Sequence, residues 1–163
     1  MNKIKNIEYS TKELRNYNNC YIYHVKSTKN KHIIPLRDCD SAIYMAMFNF
    51  SVDYITDDIN EYNKFIKTTK LLKVEYKCRA YLIGGTPDKC YGLINVTWNN
   101  INIVINYIIA RYGMADIIIG NPPYGDKTNR TLHYDITMQL LNKFKDKMVL
   151  IMPHKMCYAT DAL

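Results

Sequence analysis

The chain lacks most of the signals that sort a protein into a class at once. Its five cysteines, Cys20, Cys39, Cys78, Cys90 and Cys157, form no CxxC pair and no cluster at ligand spacing. The odd count and irregular spacing argue against a disulfide framework or zinc site and point to reduced thiols inside a cell. No stretch approaches about 18 uninterrupted apolar residues, so no membrane span is expected. The opening Met-Asn-Lys-Ile-Lys-Asn holds no apolar signal core, which makes a cytoplasmic setting the expectation. There is no internal repeat, no low-complexity linker and no block of like charges that would mark a tail.

What is present bounds the rest. The 163 residues are 48% hydrophobic, enough for one compact domain with a core. A net charge of +7 and a pI of about 9.1 favour polyanion partners or simple solubility, without choosing between them. Of 22 Lys and Arg, 14 lie in residues 1–80 beside nine of the 15 acids, so an ordinary solvated surface accounts for the charge as well as a nucleic-acid footprint does. Asn, Ile, Lys and Tyr are abundant in the manner of an AT-rich genome. Any single one of the 15 tyrosines therefore carries little meaning.

Residues 21–25 and 31–36 read as short strands, and Ser41 to Phe50 as a buried helix. Asp57 and Asp58 are N-cap candidates for a helix with Ile59, Tyr62 and Ile66 on one face. Val74 to Ile83 alternates with period 2, as a strand does. With the turn at Gly84, Gly85, Pro87 and Asp88 and a second strand, Tyr91 to Trp98, it predicts an antiparallel hairpin. Asn99 and Asn100 can cap the next helix, whose apolar face is Ile101, Val104, Ile105, Ile108, Ile109 and Tyr112, with Gly113 ending it. Asp116 to Ile119 is an apolar run of the kind found in central parallel strands. A helix with Leu132, Ile136, Leu140 and Phe144 inside and a strand over Lys147 to Met152 complete the order. Helix, strand, helix, strand over residues 100–153 predicts a parallel sheet with right-handed crossovers. Ligands bind such sheets beyond the carboxyl ends of the strands. His154 and Lys155, just past the last strand, read as surface residues.

The most informative segment is Asp116 to Gly125, Asp-Ile-Ile-Ile-Gly-Asn-Pro-Pro-Tyr-Gly. Two successive prolines fix φ near about −65° and bar the residue before them from the α region. The turn can therefore hold one carboxamide, one peptide carbonyl and one aromatic ring in fixed relation at a strand end. That arrangement suits gripping a planar amine between hydrogen-bond acceptors and a π face. An Asn-Pro-Pro turn can also merely join a strand to a helix, but the apolar strand and Gly120 before it tip the reading towards chemistry. Gly84-Gly85 is assigned to the hairpin turn, since no helix opens directly behind it.

Asp116 to Gly125 resembles the catalytic motif of S-adenosylmethionine-dependent amino-group methyltransferases, with DNA adenine-N6 methyltransferases of restriction-modification type the nearest in pattern. The helix 131–145 and Val149-Leu150-Ile151-Met152-Pro153 look like the segment that follows the motif there. The resemblance spans about residues 100–158 and implies an α/β fold: a partial Rossmann-like methyltransferase sheet preceded by an α+β region with a β-hairpin. It divides the chain into residues 1–99, of unassigned role, and a catalytic-motif half, 100–163. It implies S-adenosylmethionine as cofactor, a flipped adenine of DNA as substrate, and Asn121, Pro122, Pro123 and Tyr124 as catalytic residues. Lys127 and Arg130, in the loop that follows, would touch phosphates.

The family also carries a Phe-x-Gly-x-Gly loop after its first strand and an acidic residue at the end of the next. Neither is identified in the sequence, and the region before residue 100 reads as hairpin and helices. The expectation is a truncated or split enzyme whose cofactor half lies on a second polypeptide, the front part of a permuted one, or a decayed copy. Three functions follow: DNA adenine-N6 methylation; methylation of protein glutamine or ribosomal RNA guanine N2 through a similar turn; or nucleic-acid binding without catalysis.

Overall fold

The computed structural model describes residues 31–48, 50–85, 92–93, 95–125 and 128–152. Five strands carry the fold: β1 (His32–Leu36), β2 (Ser51–Thr56), β3 (Cys78–Leu82), β4 (Ala115–Gly120) and β5 (Phe144–Leu150). They form one sheet in the order β3-β2-β1-β4-β5, and every pairing is parallel. Parallel neighbours need crossover connections, which here are the helices α1 (Cys39–Met47), α2 (Ile59–Leu71), α3 (Asn102–Tyr112) and α4 (Leu132–Leu140).

The sheet is buried on both faces, which is why its central strands read as apolar runs. On one face Ile33, Val52, Tyr54, Ile117 and Ile119 pack with Ala42, Ile43, Ala46 of α1 and Phe65 of α2. On the other, Ile34, Leu36, Ile55 and Ile118 meet Val104, Ile105 and Ile108 of α3 and Ile136 and Leu140 of α4. Each fully buried Ile contributes about 1.5–3 kcal/mol of transfer free energy.

Several expectations are corrected here. The stretch before residue 100 does hold strand, loop and helix in series: β1, a short turn, α1 and β2. One sheet runs across residue 99, with β1 paired to β4 in the register Ile33↔Ile117 to Leu36↔Gly120. The strand expected over 74–83 is shorter. Glu75–Lys77 is a 3-10 turn, and Cys78–Leu82 pairs in parallel with β2 through Val52↔Cys78 to Thr56↔Leu82. Residues 92, 93 and 95–97 form no strand, so the antiparallel hairpin is replaced by a parallel edge; residues 86–91 lie outside the described residues. On α2, Phe65 and Thr69 are the buried residues, and Ile59 and Ile66 are exposed. Phe144 opens β5 and does not extend α4.

Two helix ends are as expected. Asp58 caps α2, its Oδ1 accepting from the backbone N–H groups of Asn60 (2.8 Å) and Glu61 (3.2 Å). Gly113, at φ 82°, ends α3 and donates its N–H to the Ile109 carbonyl at 2.9 Å. The expected capping of α3 by Asn99 and Asn100 is corrected: Thr97 caps the 3-10 turn Trp98–Asn100 in a reciprocal capping box with Asn100, and α3 follows with no side-chain cap of its own. The strand 21–25, Lys127, His154 and Lys155 lie outside the described residues. Among the described residues no helix is long and apolar enough to cross a membrane, and no group of His, Cys, Asp or Glu could hold a metal ion.

Candidate active site

The order 3-2-1-4-5 reverses direction between β1 and β4. The chain leaves β1 for β2 on one side and returns to β4 on the other, so the loops after those two strands splay apart. A cavity of about 370 Å³ opens there, lined from the carboxyl ends of β1, β2 and β4. That volume is of the size small-molecule sites use, roughly 300–1,000 Å³.

β4 supplies Asn121. Gly120 precedes it at φ 155°, and a Cβ there would lie 2.4 Å from the Leu36 carbonyl oxygen. Only glycine lets β4 approach β1 that closely. The Asn121 backbone N–H then donates to the same Leu36 oxygen at 3.1 Å, which fixes the turn at the cavity wall. Asn121 is exposed and lines the cavity; Pro122 is buried and Pro123 half-buried behind it. Tyr124 is 42% exposed, so its ring is available to a planar partner. Its carbonyl accepts from the His133 backbone N–H at 3.2 Å, and its ring meets the His133 ring edge-on at 6.4 Å.

The loop behind the tetrad is pinned by Asn129. Its amide donates to Asp135 Oδ2 (2.8 Å) and Asn99 Oδ1 (2.9 Å), and its Oδ1 accepts from the Thr131 backbone N–H (3.1 Å). Arg130 is exposed on this loop and does not line the cavity.

β1 supplies Arg37 and Asp38, both left-handed at φ 56° and 54°. That conformation disfavours side chains, although aspartate tolerates it better than most. Asp38 caps α1, accepting from the Ser41 N–H (3.3 Å) and Ser41 hydroxyl (2.8 Å). The next N–H, that of Cys39, donates to Glu61 Oε2 at 3.3 Å. The N-terminus of α1 is thus closed by the chain's own carboxylates. Arg37 reaches across to β2's end and binds Asp57 bidentately, Nε–Oδ1 and Nη2–Oδ2 both 3.0 Å, with its guanidinium 5.9 Å from the Trp98 ring centre. Burial alone would raise the Asp57 carboxyl, but the Arg37 hydrogen bonds and charge outweigh it and hold the group below the usual carboxylate range.

Tyr54 forms the floor. It is fully buried, its hydroxyl has no hydrogen-bond partner, and it lines the cavity. Burial pushes that hydroxyl's pKa far up against the opposing effect of the nearby Thr56 side chain, with the negative charge of Glu61 and Asp38 adding to the rise, so it stays neutral. A buried hydroxyl left unpaired costs about 1–3 kcal/mol, which a ligand oxygen in the cavity would recover.

No family model matches the chain, and no curated protein does. Solved structures do. TrmN from Thermus thermophilus superposes with a TM-score of 0.58 at 12% identity, over 89% of this chain and 40% of that one. Coclaurine N-methyltransferase bound to N-methylheliamine and SAH gives 0.51 at 8% identity, over 82% of this chain and 33% of that one. The fold is that of Rossmann-like methyltransferases. At these identities the likeness concerns the fold, and the chain spans well under half the length of both neighbours.

Within that methyltransferase-like fold the cavity's residues fit an adenosyl group. Asp57 stands at the end of β2, where a carboxylate can accept from a ribose diol, and the Tyr54 hydroxyl lacks a partner. Asp57 is the acidic residue that directly follows β2, a position the sequence reading left unfilled. The glycine loop is absent as glycine, but Arg37 and Asp38 make a left-handed turn where it would stand. The signal was available: Val52-Asp53-Tyr54-Ile55-Thr56 is β-branched and aromatic, and Asp57 follows it directly. The buried Asp53 near its start disguises it.

Proposed function

We infer that this chain carries the amine-methylating centre of an S-adenosylmethionine-dependent enzyme acting on adenine N6 in DNA. The observation that supports this most is that Asn121 shares one cavity with Asp57 and the unpaired Tyr54 hydroxyl. Amine acceptor and nucleoside acceptor then lie within reach of one bound pair of reactants.

When bound, the cofactor supplies an electrophilic methyl carried on a sulfonium. The chain's own contribution is electrostatic and positional. Adenine N6 is conjugated with its ring and is a poor nucleophile. The Asn121 side-chain oxygen and the Pro122 carbonyl each accept one N6 hydrogen, and both dipoles favour the positive charge that grows on nitrogen in the transition state. The base must leave the stack to reach them, at a cost of a few kcal/mol. Stacking on Tyr124 offsets about 1–3 kcal/mol of that. Arg130, together with Lys127, steers the strand through its phosphates.

β5 pairs with β4 alone among the described residues, and none of its side chains is buried. A second polypeptide that covers this edge would complete the sheet and bring the target-recognition surface.

Asn121→Ala tests the reading. Transfer of labelled methyl to an adenine-containing duplex should fall by about 10²–10³ while the melting transition stays put. Unchanged turnover would remove Asn121 from the chemistry. Running glutamine peptides and guanine-rich ribosomal RNA in parallel separates the alternative substrates. A second reading, nucleic-acid binding without catalysis, has one observation in its favour: Arg37 already occupies both oxygens of Asp57.

A further inference from the structure

Arg37 stands where the backbone disfavours a side chain. The residue after β1 is left-handed at φ 56°, a geometry that glycine adopts freely and a long side chain only under strain. A turn alone is therefore better served by glycine. What the arginine adds is its reach across the cavity, where Nε and Nη2 take Asp57 Oδ1 and Oδ2 at 3.0 Å each. Those are the two oxygens that an entering ribose diol would need, and a guanidinium fork and a diol cannot both lie along one carboxylate edge. The pair is not sealed: 40% of the Arg37 and 30% of the Asp57 side-chain surface stays accessible. A second seat for the guanidinium stands close by, the Trp98 ring, whose centre is 5.9 Å away. The Trp98 indole N–H is buried and unpartnered and lies beside the same carboxylate, so it can hold Asp57 when the arginine lets go.

We propose that Arg37 is a resident competitor for the nucleoside: it caps Asp57 in the free protein and swings to the Trp98 face when the ribose hydroxyls take the carboxylate over. The proposal rests on the methyltransferase reading and adds that the cofactor enters by exchange, so that Arg37 sets how tightly it is held. The affinity measured is the intrinsic one reduced by the fraction of molecules in which Asp57 is uncapped. A partly solvated pair of this kind closes the site by a factor of about two to five. Removing the guanidinium therefore strengthens nucleoside binding, the reverse of what deleting a ligand-holding group does. Salt screens the Arg37–Asp57 attraction, so it strengthens the binding of an uncharged nucleoside as well.

Titration calorimetry of the whole chain with adenosine, which has the diol and no charge, tests this. S-adenosylhomocysteine, which carries the same diol, is the second probe. Arg37→Met, which keeps an unbranched stem, should bind both about two to five times more tightly at low salt. Arg37→Lys, with one ammonium in place of the fork, should fall between. Raising the salt from about 0.01 M to 1 M should tighten adenosine binding to the wild type by a similar factor and leave the Arg37→Met value flat. A circular-dichroism melt verifies that the variants fold, and the salt series on the wild type decides the matter if they do not. Equal or weaker binding by a folded Arg37→Met overturns the competitor and leaves the methyltransferase reading in place. Wild-type adenosine binding that salt weakens or leaves unchanged does the same. Absence of heat with both probes in the wild type and in both variants removes that reading itself.

Discussion

Two arginine–aspartate pairs lie at opposite ends of β2, and their contrast separates structure from chemistry. Asp53, near the start of the strand, is completely buried. Arg79 grips it through Nε (2.6 Å) and Nη2 (2.8 Å), the Tyr81 hydroxyl donates at 2.9 Å, and His32 Nε2 completes the shell. Arg79 in turn stacks 3.7 Å above the Tyr112 ring. Every acceptor position is used and Asp53 itself has no surface open to solvent, while Arg79 keeps 24% of its side-chain surface. At the other end Asp57 holds a similar bidentate arginine, but its side chain keeps 30% of its accessible surface and faces the cavity. The same two residue types therefore make a sealed knot at one end of a strand and a displaceable contact at the other. Burial and saturation, not the identity of the pair, decide which is available to a ligand.

Removing each aspartate is the strongest way to break this contrast. Asp53→Ala should cost about 3–5 kcal/mol, since it breaks a pair whose carboxylate is completely buried and takes the shared acceptor from Arg79, Tyr81 and His32. Asp57→Ala should cost under about 1 kcal/mol, because that pair is partly solvated. Urea titrations of both variants check the difference, and comparable losses would erase it. Gly120→Ala comes next, at about 1–3 kcal/mol, because the added carbon must displace the Leu36 carbonyl that β1 and β4 share. Its melting curve, set against Gly113→Ala where nothing lies within 4 Å, isolates the close approach from the backbone angle.

Acid titration sharpens the comparison further. Burial alone would raise the Asp53 carboxyl, yet the hydrogen bonds from Arg79, His32 and Tyr81, together with the Arg79 charge, pull it below its ordinary value. A depressed folded value means the stabilisation is complete above the unfolded value near about pH 4 and drains away as pH falls through the lower folded one. Stability measured between neutral and strongly acid pH should decline in the wild type, and Asp53→Asn should flatten that decline. The smallest effect is expected at the tetrad's ring. Tyr124→Ala should weaken capture of the extruded base by about 1–3 kcal/mol, read as a raised KM. Tyr124→Phe should leave it unchanged, because the face does the stacking.

The turn after β4 was legible because its physics is local: an apolar strand, one obligatory glycine and two imino acids lie within ten residues. The helices α1, α3 and α4 were legible for the same reason, since their periodicity is continuous. The sheet's other half was not. Lys77 and Arg79 alternate with Cys78 and Ala80, and nothing local distinguishes a parallel edge strand from one arm of a hairpin. That choice is made by the pairing of Val52 with Cys78, across an intervening helix. β2 was hidden by its own Asp53, which reads as a strand breaker until Arg79, 26 residues on, is known to neutralise it. Arg37 and Asp38 concealed the turn after β1 because their backbone adopts a glycine geometry with side chains attached.

The placement of β1 at the centre of the sheet has a consequence for synthesis. As the polypeptide leaves the ribosome, β1, α1, β2, α2 and β3 can associate in order, each with a neighbour already made. The other edge of β1 must wait for β4, whose Ile117 lies 84 positions after its partner Ile33. Until then a row of unpaired amides and the apolar Ile34 and Leu36 stand open to any other nascent strand. The last step that seals this edge also creates the cavity, so a molecule seated there acts as a latch on completed folding.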